Sequence, residues 1–157
     1  MKTLRIAIII TLLACAAGAL HAENGKRTAV LMAVQGTVEI KPAIGEWVPG
    51  TAKTALAEGD FIKTGKDSWA LININGSTET ATVELREKTN MELLTLAADE
   101  KAGTASTLLD LYAGEVMVKA RAAGKDTSKF EVKTPTSIVA VRGGKTSFSV
   151  KVEQMAE

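Results

Sequence analysis

Short runs of alternating apolar and polar residues recur along almost the whole chain, and they constrain its fold more than any other feature. In residues 37–41, for example, Val38 and Ile40 fall on one side of an extended chain and the polar residues between them on the other, as in a half-buried strand. Such runs follow one another at intervals of roughly 8–12 residues, a spacing typical of all-β domains. No stretch keeps a helical period for more than two turns.

This pattern predicts an all-β fold, a compact sandwich or roll of roughly nine or ten short, mostly antiparallel strands. A β-helix-like stack is the alternative arrangement. Asn75-Gly76 is a strong hairpin signal. Residues 107–119 hold two apolar runs on either side of Ala113-Gly114, and we interpret them as two strands joined by a turn.

The first 22 residues have the layout of a secretory signal peptide, with Lys2 and Arg5 before an apolar run at 6–13 and small residues at 14–19. We expect cleavage after Ala22, with Ala19 as a second possible site, and one β-domain at 23–157. An alternative is a lipoprotein signal at 1–14 that leaves Cys15 lipidated. The protein is then periplasmic or secreted, or else lipid-anchored, and it contacts a membrane only if Cys15 is lipidated.

Cys15 and His21 are the only cysteine and histidine in the chain, and both lie in the predicted signal region. The predicted domain therefore lacks the side chains for Ser-His-Asp or Cys-His catalysis and for the usual zinc and copper sites. Without Lys2 and Arg5, 17 of the 19 basic residues remain, against 18 acidic ones. This near-neutral balance gives no electrostatic case for nucleic-acid binding. We expect no enzyme activity, metal or cofactor.

Gly143-Gly-Lys-Thr146 looks at first like the end of a phosphate-binding loop. That motif requires a further glycine at position 139, which is Val139, and a helix after Thr146, where residues 147–152 alternate like a strand. We therefore interpret the glycines as a bend between strands. Arg142 beside them either pairs with a carboxylate on a neighbouring strand, which we favour, or contacts an acidic partner.

Several short motifs, taken in order, resemble those of the FecR domain family, which consists of exported β-rich domains of bacterial envelope proteins. The resemblance covers most of residues 23–157 and implies the same β-fold. The motifs are Val34-Gln-Gly-Thr-Val38; Trp47 followed by Leu56-Ala-Glu-Gly-Asp60; Phe61-Ile-Lys-Thr64 with Ser68 and Ala70; Asn75-Gly76-Ser77; Leu111-Tyr-Ala-Gly-Glu-Val116; and Thr134-Pro135 through Val141-Arg142-Gly143.

The chain departs from the family pattern in two places. Gly144 and Lys145 are inserted before Thr146-Ser-Phe148, and the sequence ends soon after Val152. We therefore expect an edge of the sheet that is incomplete or finished by a partner. The name-giving family members are inner-membrane sensors with a cytoplasmic segment that controls a sigma factor. No such segment precedes the predicted signal peptide, so we do not carry that role over.

The resemblance implies a non-enzymatic interaction or signalling-associated module of the envelope, whose partner is another envelope protein. The candidate interaction residues are Arg142, Gly143, Gly144, Lys145 and Phe148.

Two other functions compete with this one. One is a cell-wall or glycan-binding domain that uses Trp47 or Trp69, although we favour core positions for both rings. The other is a hydrolase that uses paired acids, Glu84 with Glu87 or Asp60 with Asp67.

Overall fold

The computed structural model describes residues 25–75, 79–99, 101–122, 128–142 and 144–153. The predicted signal peptide, Cys15, Gly143 and the Gly76-Ser77 hairpin tip lie outside these ranges. Every regular element in the described part is a β-strand, so the predicted all-β class is confirmed. No helix within these ranges has both the length and the apolar character needed to cross a membrane.

Thirteen strands are present in the described ranges. Ten of them have four residues or more, which matches the expected number, and three are two-residue strands. The strands are β1 (Gly25–Lys26), β2 (Ala29–Gln35), β3 (Val38–Lys41), β4 (Val48–Pro49), β5 (Ala55–Leu56), β6 (Phe61–Thr64), β7 (Trp69–Ile74), β8 (Glu79–Leu85), β9 (Asn90–Asp99), β10 (Thr104–Ala122), β11 (Lys129–Lys133), β12 (Ile138–Arg142) and β13 (Lys145–Val152).

The long strand β10 belongs to two sheets. Its first half pairs with β9 and β11, and the first sheet continues through β6, β3 and β4 on one side and β12 on the other. Its second half pairs with β8 and β13, and the second sheet continues from β8 through β7, β2 and β5. All pairings are antiparallel except that of β10 with β11. The fold is thus a sandwich whose two sheets are joined by one strand that passes between them, as at the corners of other β-sandwiches.

The hydrophobic core lies between the two sheets and is formed by the alternate residues that the sequence pattern marks as apolar. In β7, for example, Ala70, Ile72 and Ile74 are buried and the residues between them are half-buried. Burial of these apolar surfaces is the main stabilising contribution to such a fold. The largest fully buried side chains are Leu31, Leu56, Ile62, Ile72, Ile74, Leu85, Met91, Leu93, Leu96, Leu109 and Leu111.

Residues 107–119 do not form two strands with a turn, and that prediction is wrong. They lie within β10, which runs without interruption through Ala113 and Gly114. Gly114 adopts φ +89°, a left-handed conformation that glycine tolerates better than other residues. The glycine therefore bends the strand from the first sheet into the second and does not reverse the chain.

Candidate functional site

The Gly-Gly segment joins two strands, as the sequence pattern indicates. β12 ends at Arg142, β13 begins at Lys145, and no helix follows Thr146. Gly144 has φ +73°, and a methyl group placed on it would meet no atom within 4 Å. Among the candidate interaction residues in the described ranges, Arg142, Gly144 and Lys145 are exposed and Phe148 is half-buried.

Arg142 makes no side-chain hydrogen bond or ion pair within the part of the chain that the structure describes. This differs from the favoured interpretation, in which a neighbouring carboxylate binds it. The residue opposite Arg142 on β11 is Lys129, whose ammonium group lies 2.8 Å from a carboxylate oxygen of Glu131. The guanidinium group of Arg142 is thus exposed to solvent and to any acidic partner.

Each strand that flanks this turn has one unpaired side. Among the described strands, β12 pairs only with β11 and β13 pairs only with β10. In an antiparallel pair, the backbone N–H and C=O groups of every second residue point away from the partner strand. β13 is eight residues long and therefore presents a row of such groups along its free side. We call β12 and β13 together the open edge.

The two sheets do not extend equally far at the open edge. Beyond β10, the first sheet continues with β11 and β12, whereas the second sheet continues with β13 alone. Phe130 of β11 packs edge-to-face against Phe148 of β13, with ring centroids 6.3 Å apart, so β11 lies over β13. No described strand occupies the corresponding place beneath β12, and Val139 and Val141 on its inner side are only half-buried.

A second polar region surrounds the bend in β10. Thr89 exchanges hydrogen bonds of 3.1 Å with Glu115, its hydroxyl accepting from the Glu115 N–H and donating to the Glu115 carbonyl. The backbone N–H of Thr89 donates to the Thr64 hydroxyl at 3.0 Å, and that hydroxyl donates to the Arg86 carbonyl at 2.5 Å. A methyl group on Gly114 would overlap with the Thr89 backbone.

The same region includes the turn at Ser68. The Ser68 hydroxyl accepts from the Thr37 N–H at 2.9 Å and donates to the Lys66 carbonyl at 2.9 Å. A methyl group on Gly36 would overlap with the Ser68 hydroxyl. We call Gly36, Thr64, Ser68, Thr89 and Gly114 the corner network. Each hydroxyl in it both donates and accepts a hydrogen bond.

The family model described as FecR protein matches residues 60–156, more than half of the chain. The chain belongs to the FecR family. No curated protein and no solved structure gives a significant match.

Several motif residues of this FecR domain hold its backbone in place. The corner network accounts for the motifs around Gly36, Thr64, Ser68 and Gly114. The Asp60 carboxylate accepts hydrogen bonds from the Ala43 N–H at 3.0 Å and the Ala57 N–H at 2.8 Å.

The Thr-Pro motif before β12 is likewise structural. The Thr134 hydroxyl accepts from the Ser137 N–H at 3.0 Å and closes the turn between β11 and β12. Arg142 differs from these motif residues because its side chain makes no hydrogen bond or ion pair with a described residue.

Each acidic residue proposed for hydrolysis has its own separate environment in the FecR domain. Both oxygens of Asp60 accept backbone hydrogen bonds, whereas the side chain of Asp67 is 82% exposed. Glu84 pairs with Arg86 at 3.1 Å, and Glu87 accepts the Asp67 N–H at 2.8 Å. Within the described ranges, no group of three or more acidic, histidine or cysteine side chains is placed to hold a metal ion.

Neither tryptophan of the FecR domain occupies the core, so the favoured core positions are wrong. Trp69 is half-buried on the outer face of the second sheet, and its indole N–H donates to Gln35 at 2.7 Å. Trp47 is also half-buried and lies against Lys63 of the first sheet, with 4.4 Å from the ammonium nitrogen to the ring centroid. The two rings lie on different sheets and do not form one stacking platform.

The sequence patterns name Val141 only as the first residue of a candidate interaction hairpin that ends at Phe148, and they do not single out Val139 or an inner surface formed by the two valines. The alternation of β12 marks them as inner residues. Their incomplete burial depends on how many strands the opposite sheet contributes, and strand pairing between distant segments carries no local signal.

Proposed function

We propose that this FecR domain is a non-enzymatic protein-interaction module of the bacterial envelope, which takes up an extended segment of another envelope protein beside β13. The predicted leader at 1–22 supports a location outside the cytoplasm. FecR domains occur in signalling-associated proteins, which supports a role in such an assembly. Mass spectrometry of the mature N-terminus tests the location: a start at Glu23 indicates secretion, and a lipid-modified Cys15 indicates anchoring.

The unequal extent of the two sheets is the observation that carries this proposal. The first sheet has two strands beyond β10 and the second has one. One further strand beside β13 would lie beneath β12 and cover the half-buried Val139 and Val141. The free side of β13, eight residues long, therefore offers a place for an extended partner segment.

Backbone pairing and apolar burial would both favour such an added strand. The free N–H and C=O groups of β13 would gain partners, which is the basis of recognition by strand addition. Full burial of a valine side chain contributes about 1.5 kcal/mol or more, and Val139 and Val141 are half-buried at present. The exposed Lys145 and Lys151 on β13 suit an edge that avoids pairing with other copies of itself.

The proposal is best tested with a photo-crosslinking amino acid at Ser149 and, in a separate variant, at Glu84. The two positions lie in one row of the second sheet, with Met117 of β10 between them. Ser149 is on the free edge strand, whereas Glu84 is on β8, which has neighbours on both sides. An added strand would therefore lie close to Ser149 and distant from Glu84.

The expected result is a defined adduct at Ser149 after irradiation in intact cells, identified by mass spectrometry, and little adduct at Glu84. The crosslinked peptide should map to an extended segment of the partner. Equal adducts at both positions would indicate a partner on the sheet face, and no adduct at Ser149 would contradict strand addition.

A further inference from the structure

A groove of about 770 Å³ crosses the outer face of the second sheet next to the first residues of β13. Three cationic side chains line it: Lys119 and Arg121 on β10, and Lys145 at the start of β13. Among the described residues, the rest of its polar lining consists of amide and hydroxyl groups, with no acidic side chain. We call this the basic groove.

The strand register brings the positive charges of the basic groove together. Arg121 lies directly opposite Lys145, and Lys119 lies opposite Ser147. Like charges that face each other across a strand pair are destabilising. None of the three forms an ion pair within the described residues, although the chain as a whole has a net charge of only +1. An anionic ligand would remove this repulsion.

The basic groove adjoins the unpaired side of β13, because Lys145 and Ser147 belong to both. A strand added beside β13 would lie about 4.8 Å from it, and every second side chain would point over the outer face at a spacing of about 6.8 Å. That spacing matches the distance along β10 between residues two positions apart, such as Lys119 and Arg121. The other side chains of the added strand would point inward, towards Phe148 and Val139.

We propose, on the basis of the function proposed above, that the segment taken up by β13 is an acidic peptide in which aspartate or glutamate alternates with apolar residues. The acidic side chains lie beside Lys145 and within reach of the long side chains of Lys119 and Arg121, whose strand β10 is two strand spacings, about 9.6 Å, away, and the apolar ones fill the space beneath β12. Opposite charges across an interface increase the association rate and exclude partners of the wrong charge.

A peptide fits these observations better than an anionic polymer that has no peptide backbone. The free edge of β13 offers N–H donors and C=O acceptors in alternation, which another extended peptide complements. A phosphate polymer would neutralise the cations but would leave the edge unpaired. The hydroxyl group of Ser147, which lines the groove and lies on β13 itself, supplies a further donor to a carboxylate oxygen.

Fluorescence anisotropy with synthetic peptides of about eight residues, the length of β13, tests the proposal on the purified protein. The probes alternate valine with glutamate, glutamine or lysine. We expect the glutamate peptide to bind about tenfold more tightly than the glutamine peptide and to weaken as salt is added. The lysine peptide should bind most weakly of the three.

Matched protein variants show which cationic side chains cause the preference for the glutamate peptide. Arg121→Gln combined with Lys145→Gln should weaken the glutamate peptide about tenfold and leave the glutamine peptide within about twofold. Lys66→Gln, in an exposed turn outside the groove, should change neither affinity by more than about twofold. Thermal unfolding of each variant verifies that it is folded.

The possible outcomes separate this proposal from the one on which it rests. Equal binding of the glutamate and glutamine peptides, unaffected by the double variant, overturns the acidic preference and leaves strand addition intact. The absence of binding by any peptide, together with no adduct at Ser149, overturns both. Polyphosphate that displaces the glutamate peptide without protecting β13 amides from hydrogen exchange, as the peptide does, assigns the groove to a phosphate polymer and contradicts the peptide.

Discussion

The corner network and the open edge both adjoin β10, but they differ in whether their polar groups already have hydrogen-bond partners. At the corner, the hydroxyl groups of Thr64, Ser68 and Thr89 each donate and accept hydrogen bonds to the backbone. At the open edge, the backbone of β13 has a free side, and the side chain of Arg142 makes no polar contact within the described residues. Satisfied polar groups stabilise a fold, whereas unsatisfied ones are available to a partner.

This contrast indicates which FecR motifs are structural in this chain and which one is a candidate for recognition. A motif residue whose contacts are already complete gains little from a ligand. Ser68 and Gly114 belong to that group, because the Ser68 hydroxyl already accepts and donates a hydrogen bond and the neighbours of Gly114 leave no space for a methyl group. Arg142 does not, and the surface around it is open. Substitutions at the corner should therefore change stability, and substitutions at the edge should change binding.

The largest effect is expected for Gly114→Ala. The added methyl group would overlap with the Thr89 backbone, and alanine is disfavoured at φ +89°. Strain and overpacking together should lower the free energy of unfolding by about 3 kcal/mol or more. Chemical denaturation monitored by tryptophan fluorescence measures the loss.

Gly144→Ala is the matched control for this substitution at the open edge. Gly144 also has a positive φ, but no atom lies within 4 Å of the added methyl group. The cost should be about 1 kcal/mol, from the backbone conformation alone. Equal losses at the two positions would show that the corner is no more tightly packed than the edge.

The strands themselves are largely predictable from the sequence, since burial of one face imposes alternation. β7 and β11 have the predicted pattern of buried and half-buried residues. The bend at Gly114 was not predictable, because a glycine between two apolar runs fits a turn as well as a continuous strand. The difference depends on which distant strands pair with each half of β10, and local sequence does not encode that choice.

The candidate site was predictable only in part, for the same reason. The end of one strand before Gly143, the start of another after Gly144 and the exposure of Lys145 follow from the residues around them. The spacing of Lys119 and Arg121 by two residues places both on one face of a strand. Their position beside Lys145 depends on the register between β10 and β13, and the sequence alone does not fix that register. The basic groove therefore emerges only from the folded arrangement.

Tyr112 lies two residues before the bend at Gly114. Its titration reports whether a hydrogen bond near the corner network is formed. Its ring stacks on Phe61 with centroids 6.2 Å apart, and its hydroxyl donates to Glu92 at 2.8 Å. That hydrogen bond, followed by desolvation and the charges of Asp110 and Glu92, raises the pKa of Tyr112 from 10.0 to about 12. Tyr112 is the only tyrosine of the chain, so ultraviolet absorbance follows it directly.

The raised pKa determines the sign of the pH dependence. The unfolded chain loses the phenolic proton first, so the stabilisation from Tyr112 is complete below pH 10 and is lost as the pH rises towards 12. Glu92→Gln should bring the midpoint of the titration closer to 10, because the charge-assisted hydrogen bond is removed. Glu39→Gln, on β3, should leave the midpoint unchanged. A wild-type midpoint near 10 would contradict the contact.

The smallest effect on stability is expected for Arg142→Ala. An exposed side chain without an ion pair should change the free energy of unfolding by less than about 0.5 kcal/mol. Arg27 is the matched control, since it is only 6% exposed and donates to the Thr107 hydroxyl at 2.8 Å. Arg27→Ala should cost about 2 kcal/mol, because a buried charge-assisted hydrogen bond is lost. A loss above about 1 kcal/mol for Arg142→Ala in chemical denaturation would make Arg142 structural and remove the distinction between the edge and the corner.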